Sequence, residues 1–123
     1  KIVMHTGWVD PILPAPDVIK YYEDVTGAMG GREQTAAFFR LFLAPGMGHC
    51  SGGPGPNTLD GLTALEAWVE KGTAPSQIIA TRRGAGGEVE RTRPLCVYPQ
   101  VARWSGRGSS DAAENFACVN PDR

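Results

Sequence analysis

The sequence has almost no net charge, -1 from 12 basic and 13 acidic side chains. A polyanion is therefore not expected as its main partner, and we predict no nucleic-acid partner. Charge is uneven only locally: residues 82–107 hold six arginines against two glutamates. Such a segment forms either a solvated basic face or a phosphate-binding patch, and we favour the solvated face.

Long apolar runs and a leader are also missing. The longest apolar runs fall far short of the ~18 residues that a membrane span requires, so no membrane partner is predicted. No signal peptide opens the chain. Lys1 lies inside the apolar run "KIVMHTG" and no initiator Met precedes it. We therefore expect a C-terminal piece of a longer protein, with the targeting information upstream. The 123 residues, 41% of them hydrophobic, fit one domain with a core.

Cysteine is scarce and odd in number, with Cys50, Cys96 and Cys118. The last two lie in a tail rich in proline, glycine and arginine, which buries too little apolar surface to hold itself in place. Closing that loop would contribute roughly 3 kcal/mol on the chain-entropy model. We predict a Cys96–Cys118 disulfide, which leaves Cys50 beside His49.

The first two-thirds of the chain show regular periodicity. Residues 1–5 and 37–46 are apolar on both alternating faces, as in buried parallel strands. A helix is predicted from near Asp17 to Gly27, with an apolar stripe of Val18, Tyr21, Tyr22 and Val25. A second helix, capped by Asn57 or Thr58, ends at Gly72; its predicted stripe is Leu59, Leu62, Leu65, Trp68 and Val69.

Regular structure weakens after residue 72. Short strands are predicted at 77–82 and near 88–93, followed by irregular chain. The order strand, helix, strand, helix is typical of a layered parallel α/β sheet, with the first helix as the crossover. We therefore divide the domain into residues 1–72, which carry two loops at strand ends, and residues 73–123, with short strands and a disulfide-linked tail.

Two residues with acid–base chemistry follow the two predicted parallel strands. Asp10 comes after the first and His49 after the second, so both lie at the sheet edge where ligands gather in α/β proteins. A carboxylate there can orient an imidazole that acts as a general base. The order acid then histidine is that of the later triad members of α/β-hydrolases. Two plainer interpretations stay open: a turn carboxylate before Pro11 and a structural loop histidine.

The partner that such a pair needs is missing. No G-x-S-x-G turn occurs, and every serine lies in a loop or at a helix start. A metal site formed by His5, Asp10, His49 and Cys50 lacks any short ligand pair such as H-x3-H or C-x2-C. We expect no metal and no cofactor, and we interpret His5 as a packed or hydrogen-bonded residue. Trp8 is either a packing residue or part of the lining of a site.

Three long segments resemble the C-terminal portion of the tannase and feruloyl esterase family. They are "HTGWVDPILPAPDVIKYYEDV", "FFRLFLAPGMGHCSGGPGPNTLDGLTALEAWVEKGTAPSQIIA" and "RTRPLCVYPQVARWSGRGSSDAAENFACV", in family order over nearly the whole chain. The resemblance implies an α/β-hydrolase core with an inserted lid, a serine esterase activity on aromatic carboxylic esters, and a secreted or periplasmic location. One departure is Thr6, where many members have histidine.

The resemblance assigns roles to individual residues. Asp10 matches the triad acid and His49 the triad base, while the nucleophilic serine and the lid would lie upstream and act as the partner of this segment. Cys50 matches a cysteine that is disulfide-bonded to one just before the nucleophile, and Cys96 with Cys118 matches a second disulfide. An aromatic ester is the implied substrate. The alternative is a non-catalytic binding or structural fragment, inactive alone.

Overall fold

A parallel pair of strands organises the molecule, which the computed structural model describes over residues 1–121. Strand β1 (Ile2–Gly7) lies beside strand β2 (Phe39–Ala44). Gly7 pairs with Ala44 at the last position of both strands, so the two strands end at the same level. The parallel pairing predicted from the sequence is confirmed, and the loops that follow leave from one edge.

The crossover between these strands is helical. Helix α1 (Ala15–Ala28) begins directly after Pro14, with a second proline in its first turn, where the missing N–H costs no intrahelical bond. A short helix α2 (Arg32–Ala36) follows, at a place where the sequence predicted only a turn. The glycine before it, Gly31, has φ 112°, which reverses the chain into this single turn of helix.

Strand β2 separates two apolar clusters. On one face Phe39 and Leu41 pack with Tyr22 of α1, and Val18 and Val25 complete this cluster as the periodicity predicted. Tyr21 is 55% exposed and reaches this cluster only at its edge, with its ring centroid 6.4 Å from that of Phe39. On the other face lies a second set of buried residues: Phe42, Ala44, Met47, Ile78, Ala80 and Leu95. The alternation of side chains along one strand therefore produces both halves of the core.

Helix α3 (Gly61–Lys71) begins later than predicted. Its cap is Asp60, whose Oδ1 accepts a hydrogen bond from the Thr63 backbone N–H at 2.9 Å, and neither Asn57 nor Thr58 caps it. The residues at 57 and 58 instead have their backbone N–H groups bonded to a neighbouring strand. Gly72, with φ 69°, ends the helix as expected.

The predicted apolar stripe of α3 is only partly buried. Leu62 and Val69 are 66% and 62% exposed, because the helix contacts the sheet along a narrower face than its sequence pattern suggests. Trp68 is buried, and two cations contact its ring: Lys1 Nζ and the Arg40 guanidinium are each 5.2 Å from the ring centroid. None of the helices within residues 1–121 is long and apolar enough to cross a membrane.

Two antiparallel hairpins form the last third. Strands β3 (Gln77–Arg83) and β4 (Val89–Cys96) pair as predicted, although β4 continues three residues further. The tail was predicted to be irregular, and this is wrong: β5 (Val101–Trp104) pairs with β6 (Phe116–Val119). The hairpin has few buried side chains, so its sequence lacks a hydrophobic pattern that would predict it. The Cys96–Cys118 disulfide predicted from the sequence is present and joins this hairpin to β4.

Strand β1 is less buried than its apolar sequence predicts. Only its last two residues, Thr6 and Gly7, are buried. The reason is that β2 is its one partner strand within residues 1–121, so the other edge of β1 is uncovered.

Candidate active site

The loop after β1, residues 8–14, is the acid loop, and backbone hydrogen bonds hold it against the loop after β2. The Trp8 N–H donates to Ala44 O at 3.0 Å and the Val9 N–H donates to Met47 O at 3.1 Å. The Asp10 side chain then folds over its own turn, where Oδ1 accepts from two backbone N–H groups, at 2.8 and 2.9 Å. Those donors belong to Ile12 and Leu13. The carboxylate is therefore fixed in direction before it meets any partner.

The second oxygen of Asp10 contacts His49. Its Oδ2 lies 2.9 Å from His49 Nδ1, across 39 positions of sequence. The turn-carboxylate interpretation and the imidazole-partner interpretation thus describe different oxygens of one side chain. Sequence reasoning placed the two residues at one edge of the sheet, and the structure brings their side chains into contact.

Burial and charge differ sharply between the two partners. The Asp10 side chain is 3% exposed and that of His49 is 41% exposed. Burial would raise the pKa of Asp10, but hydrogen bonds from the Leu13 N–H, from His49 and from the Ile12 N–H outweigh it and lower that pKa. Asp10 is therefore ionised at neutral pH and accepts only. Nδ1 of His49 then carries a proton and donates to Oδ2, and in the neutral form of the ring the lone pair is on Nε2.

The loop after β2, residues 45–58, is the base loop. It is rich in glycine because two parts of its backbone pack directly against each other. The Gly55 N–H donates to Gly46 O at 3.0 Å, and the Gly48 N–H donates to Gly52 O at 3.2 Å. A Cβ on Gly53 would overlap Gly46 O, and one on Gly55 would overlap Pro45 O. The loop that carries the histidine is thus closely packed, and only glycine fits where its backbone segments touch.

The end of β1 also needs a glycine. A Cβ on Gly7 would overlap Met47 O and would lie 2.6 Å from Gly48 O. The Met47 side chain is fully buried and anchors this part of the base loop in the core. Gly7 therefore lets the two loops approach backbone to backbone, which places Asp10 within reach of the imidazole.

Strand β3 supports the far side of the base loop. The Thr81 N–H donates to Thr58 O at 2.8 Å, and Thr81 O accepts from the N–H groups of Asn57 and Thr58. The next residue, Arg82, donates from Nη1 to Gly53 O at 3.0 Å. Sequence reasoning missed this contact. No local pattern signals a hydrogen bond between an arginine and a carbonyl 29 positions earlier.

The remaining predicted site residues lie around this pair without bonding to it. Trp8 is 48% exposed and lines a cavity of about 800 Å³ whose walls include Pro45 and Tyr98, but neither Asp10 nor His49. Cys50 is an exposed free thiol with φ 60°, an unusual conformation for a residue other than glycine.

The other side chains considered from the sequence do not hydrogen-bond to this pair within residues 1–121. His5 was predicted to be packed or hydrogen-bonded; it is exposed on β1, although partial burial of the ring lowers its pKa. No serine hydroxyl within residues 1–121 bonds to the His49 ring. The same part of the chain contains no group of three or more His, Cys, Asp or Glu side chains able to hold a metal ion.

Comparison with known proteins gives consistent matches over nearly the whole chain. The family model described as "Tannase and feruloyl esterase" matches residues 1–119. Mono(2-hydroxyethyl) terephthalate hydrolase of Piscinibacter sakaiensis is 50% identical, over 98% of this chain and 20% of that protein. A probable feruloyl esterase of Arthroderma benhamiae is 40% identical, over 97% of this chain and 22% of its own length.

A solved structure agrees in fold. The crystal structure of an esterase from Aspergillus oryzae superimposes with a TM-score of 0.88 at 31% identity, over 97% of this chain and 27% of that one. The chain therefore spans between 20 and 27% of the length of these relatives.

Proposed function

Because the chain belongs to the tannase and feruloyl esterase family, we propose that it is part of a serine esterase in which Asp10 and His49 are two members of a catalytic triad. The observation that carries this proposal is the 2.9 Å contact between Asp10 Oδ2 and His49 Nδ1. The contact joins loops that follow two parallel strands, in the order acid then histidine. The chain would contribute the acid and the base to an α/β-hydrolase core.

In the proposed mechanism, the nucleophile comes from a segment preceding residue 1. Its serine hydroxyl attacks the ester carbonyl while Nε2 of His49 takes the proton. The imidazolium then donates that proton to the leaving alcohol, and water repeats the sequence on the acyl-enzyme. Asp10 stays ionised throughout, keeps the proton of His49 on Nδ1 and stabilises the imidazolium. The oxyanion donors would be backbone N–H groups near the serine.

We propose an ester of an aromatic carboxylic acid as the substrate. The acid loop presents four large apolar side chains around Asp10: Trp8, Val9, Ile12 and Leu13 are 48%, 52%, 67% and 54% exposed. An aromatic acyl group is the kind of ligand that such a surface binds, because ring burial supplies most of its binding energy. The names of the relatives, a feruloyl esterase and a terephthalate-ester hydrolase, point to the same class.

The location and the third cysteine follow from the same proposal. A disulfide between Cys96 and Cys118 favours an oxidising compartment, so we place the enzyme outside the cell or in the periplasm.

Cys50 lies next to His49 and is exposed. Its proposed partner is a cysteine upstream, beside the nucleophile, so that a covalent link would limit the motion of the base loop.

The test uses the full-length enzyme and a 4-nitrophenyl ester. We expect His49→Ala and Asp10→Asn each to lower kcat by about 10⁴-fold, since the base or its tautomer is lost. His5→Ala is the matched control: it removes the other histidine of these 123 residues, and it should leave kcat unchanged. The isolated chain of 123 residues should show no turnover. If His49→Ala retains a near-native rate, the chain has a non-catalytic role and the proposal is wrong.

A further inference from the structure

We propose that Arg82 is a positioning residue for His49, and this inference rests on the catalytic role proposed above. Arg82 does not contact the imidazole. It lies on β3, behind the base loop, and donates a hydrogen bond into the part of the loop that follows the histidine.

The Arg82 guanidinium uses two of its donors at once. Nη1 donates to Gly53 O at 3.0 Å, and Nε donates to Glu90 Oε2 at 3.1 Å. Glu90 lies on β4, the partner strand of β3, so the carboxylate holds the guanidinium in a fixed direction. A planar group with donors at fixed angles suits this task, because one end can be anchored while the other binds a carbonyl.

The contact reaches His49 through packed backbone. Gly53, with φ 86°, lies against Gly46 O, and a Cβ placed on Gly53 would be 3.0 Å from Gly48 N. Gly48 directly precedes His49 in the chain. A shift of Gly53 therefore moves the backbone that carries the imidazole, while Asp10 is held separately by its own turn.

The same geometry separates positioning from general stability. The Arg82 side chain is 35% exposed and its ion pair with Glu90 is solvent-accessible, so it contributes little to the free energy of unfolding. Catalysis is more sensitive, because a misplacement of about 1 Å can cost on the order of a hundredfold in rate. Loss of Arg82 should therefore lower kcat with little change in unfolding temperature.

The experiment compares two neighbouring arginines in the full-length enzyme, with a 4-nitrophenyl ester as the probe. For Arg82→Gln we expect kcat to fall about tenfold, KM to stay within about twofold, and amide exchange at residues 47–55 to accelerate. Arg83→Gln is the matched control, since Arg83 also donates to a backbone carbonyl, Gly87 O at 2.8 Å, but within its own hairpin. It should change neither kcat nor exchange in the base loop.

Two further variants test the route through Glu90. Glu90→Gln should lower kcat less than Arg82→Gln, and the double variant should be no worse than Arg82→Gln alone, because Glu90 acts through the arginine. Arg82→Lys keeps the charge but lacks the planar guanidinium with its several donors. Its kcat should lie between those of Arg82→Gln and the wild type. If Arg82→Gln does not fold, the lysine variant carries the comparison, with a reduced kcat expected.

The inference is wrong if Arg82→Gln keeps kcat within twofold, or if Arg83→Gln lowers kcat equally. It is also wrong if base-loop exchange does not respond. Failure of the proposed function looks different: His49→Ala would then retain activity, and amide exchange alone would still show whether Arg82 fixes the loop.

Discussion

Asp10 uses its two carboxylate oxygens for different purposes. Oδ1 accepts from two backbone N–H groups of its own turn, and Oδ2 contacts the imidazole of His49. The local bonds orient the carboxylate without help from the histidine. The residue is therefore preorganised, and little rearrangement is needed when the imidazole becomes charged.

The lowered pKa of Asp10 predicts a pH dependence of stability. Its unfolded value is 3.8 and its folded value lies below this. The carboxylate therefore stabilises the fold fully well above pH 3.8, and this contribution is lost as the pH falls through 3.8 towards the folded pKa. The stability difference between wild type and Asp10→Asn should accordingly be largest near neutral pH and shrink on acidification.

Urea unfolding midpoints of both proteins between pH 7 and pH 3 measure this difference. Asp60→Asn provides a comparison of the same sign, because hydrogen bonds from Thr63 lower the pKa of Asp60. A difference for Asp10→Asn that stays constant over the range would show that its folded-state pKa is not lowered.

At the scale of the element, close contacts between backbone segments fix the conformation of the base loop. Two adjacent glycines with positive φ differ in their surroundings: a Cβ on Gly52 would meet no atom within 4 Å, whereas one on Gly53 would overlap Gly46 O. Both positions carry the conformational preference for glycine. Only the second also requires the absence of a side chain.

Alanine at these two positions should separate the effects. Gly52→Ala should cost about 1 kcal/mol, from the left-handed conformation alone. Gly53→Ala should cost a further ~1–3 kcal/mol through overpacking. It should also lower kcat, because residue 53 must move away from Gly46 O and this displaces the backbone near His49. Thermal unfolding and esterase assays on the full-length enzyme test this. Equal losses of stability and of kcat in the two variants would contradict a close contact between Gly53 and Gly46 O.

Elements with strong periodicity could be predicted, and those fixed by distant contacts could not. The parallel strands and α1 follow from apolar spacing, and residues at the strand ends could be placed at one edge. The cap of α3 was assigned to Asn57 or Thr58, because nothing local shows that their backbone bonds to Thr81. The contact of Arg82 with Gly53 likewise depends on how two loops pack.

On the scale of the whole molecule, residues 1–121 form three two-stranded sheets, and a shared buried core of β2, β3 and β4 side chains joins the first two. An isolated bridge between Phe42 and Val97 links the parallel pair to the chain after β4. The β5–β6 hairpin is joined to β4 by the disulfide, and none of its strand residues is buried. The β5–β6 hairpin therefore depends on covalent and polar links more than on buried side chains.

Removal of the Cys96–Cys118 link should act mainly on the tail. Because the two cysteines are 22 positions apart, we expect Cys96→Ser to destabilise the protein by about 3 kcal/mol. Protease cleavage should become faster near residues 101–119, while the Asp10–His49 contact and the parallel strands stay ordered. The double variant with Cys118→Ser should match the single variant, because either change breaks the same bond. Cleavage that begins in β1 or β2 would contradict this order.

The matched ends of β1 and β2 decide where the chain can change in length. One residue added to or removed from either strand would shift one loop by about 3.3 Å and turn alternate side chains to the opposite face. Met29 and Gly30 connect α1 to α2 and are both exposed. Insertions and deletions should therefore be tolerated in that connection and rejected in the strands, which act as a fixed spacer between acid and base.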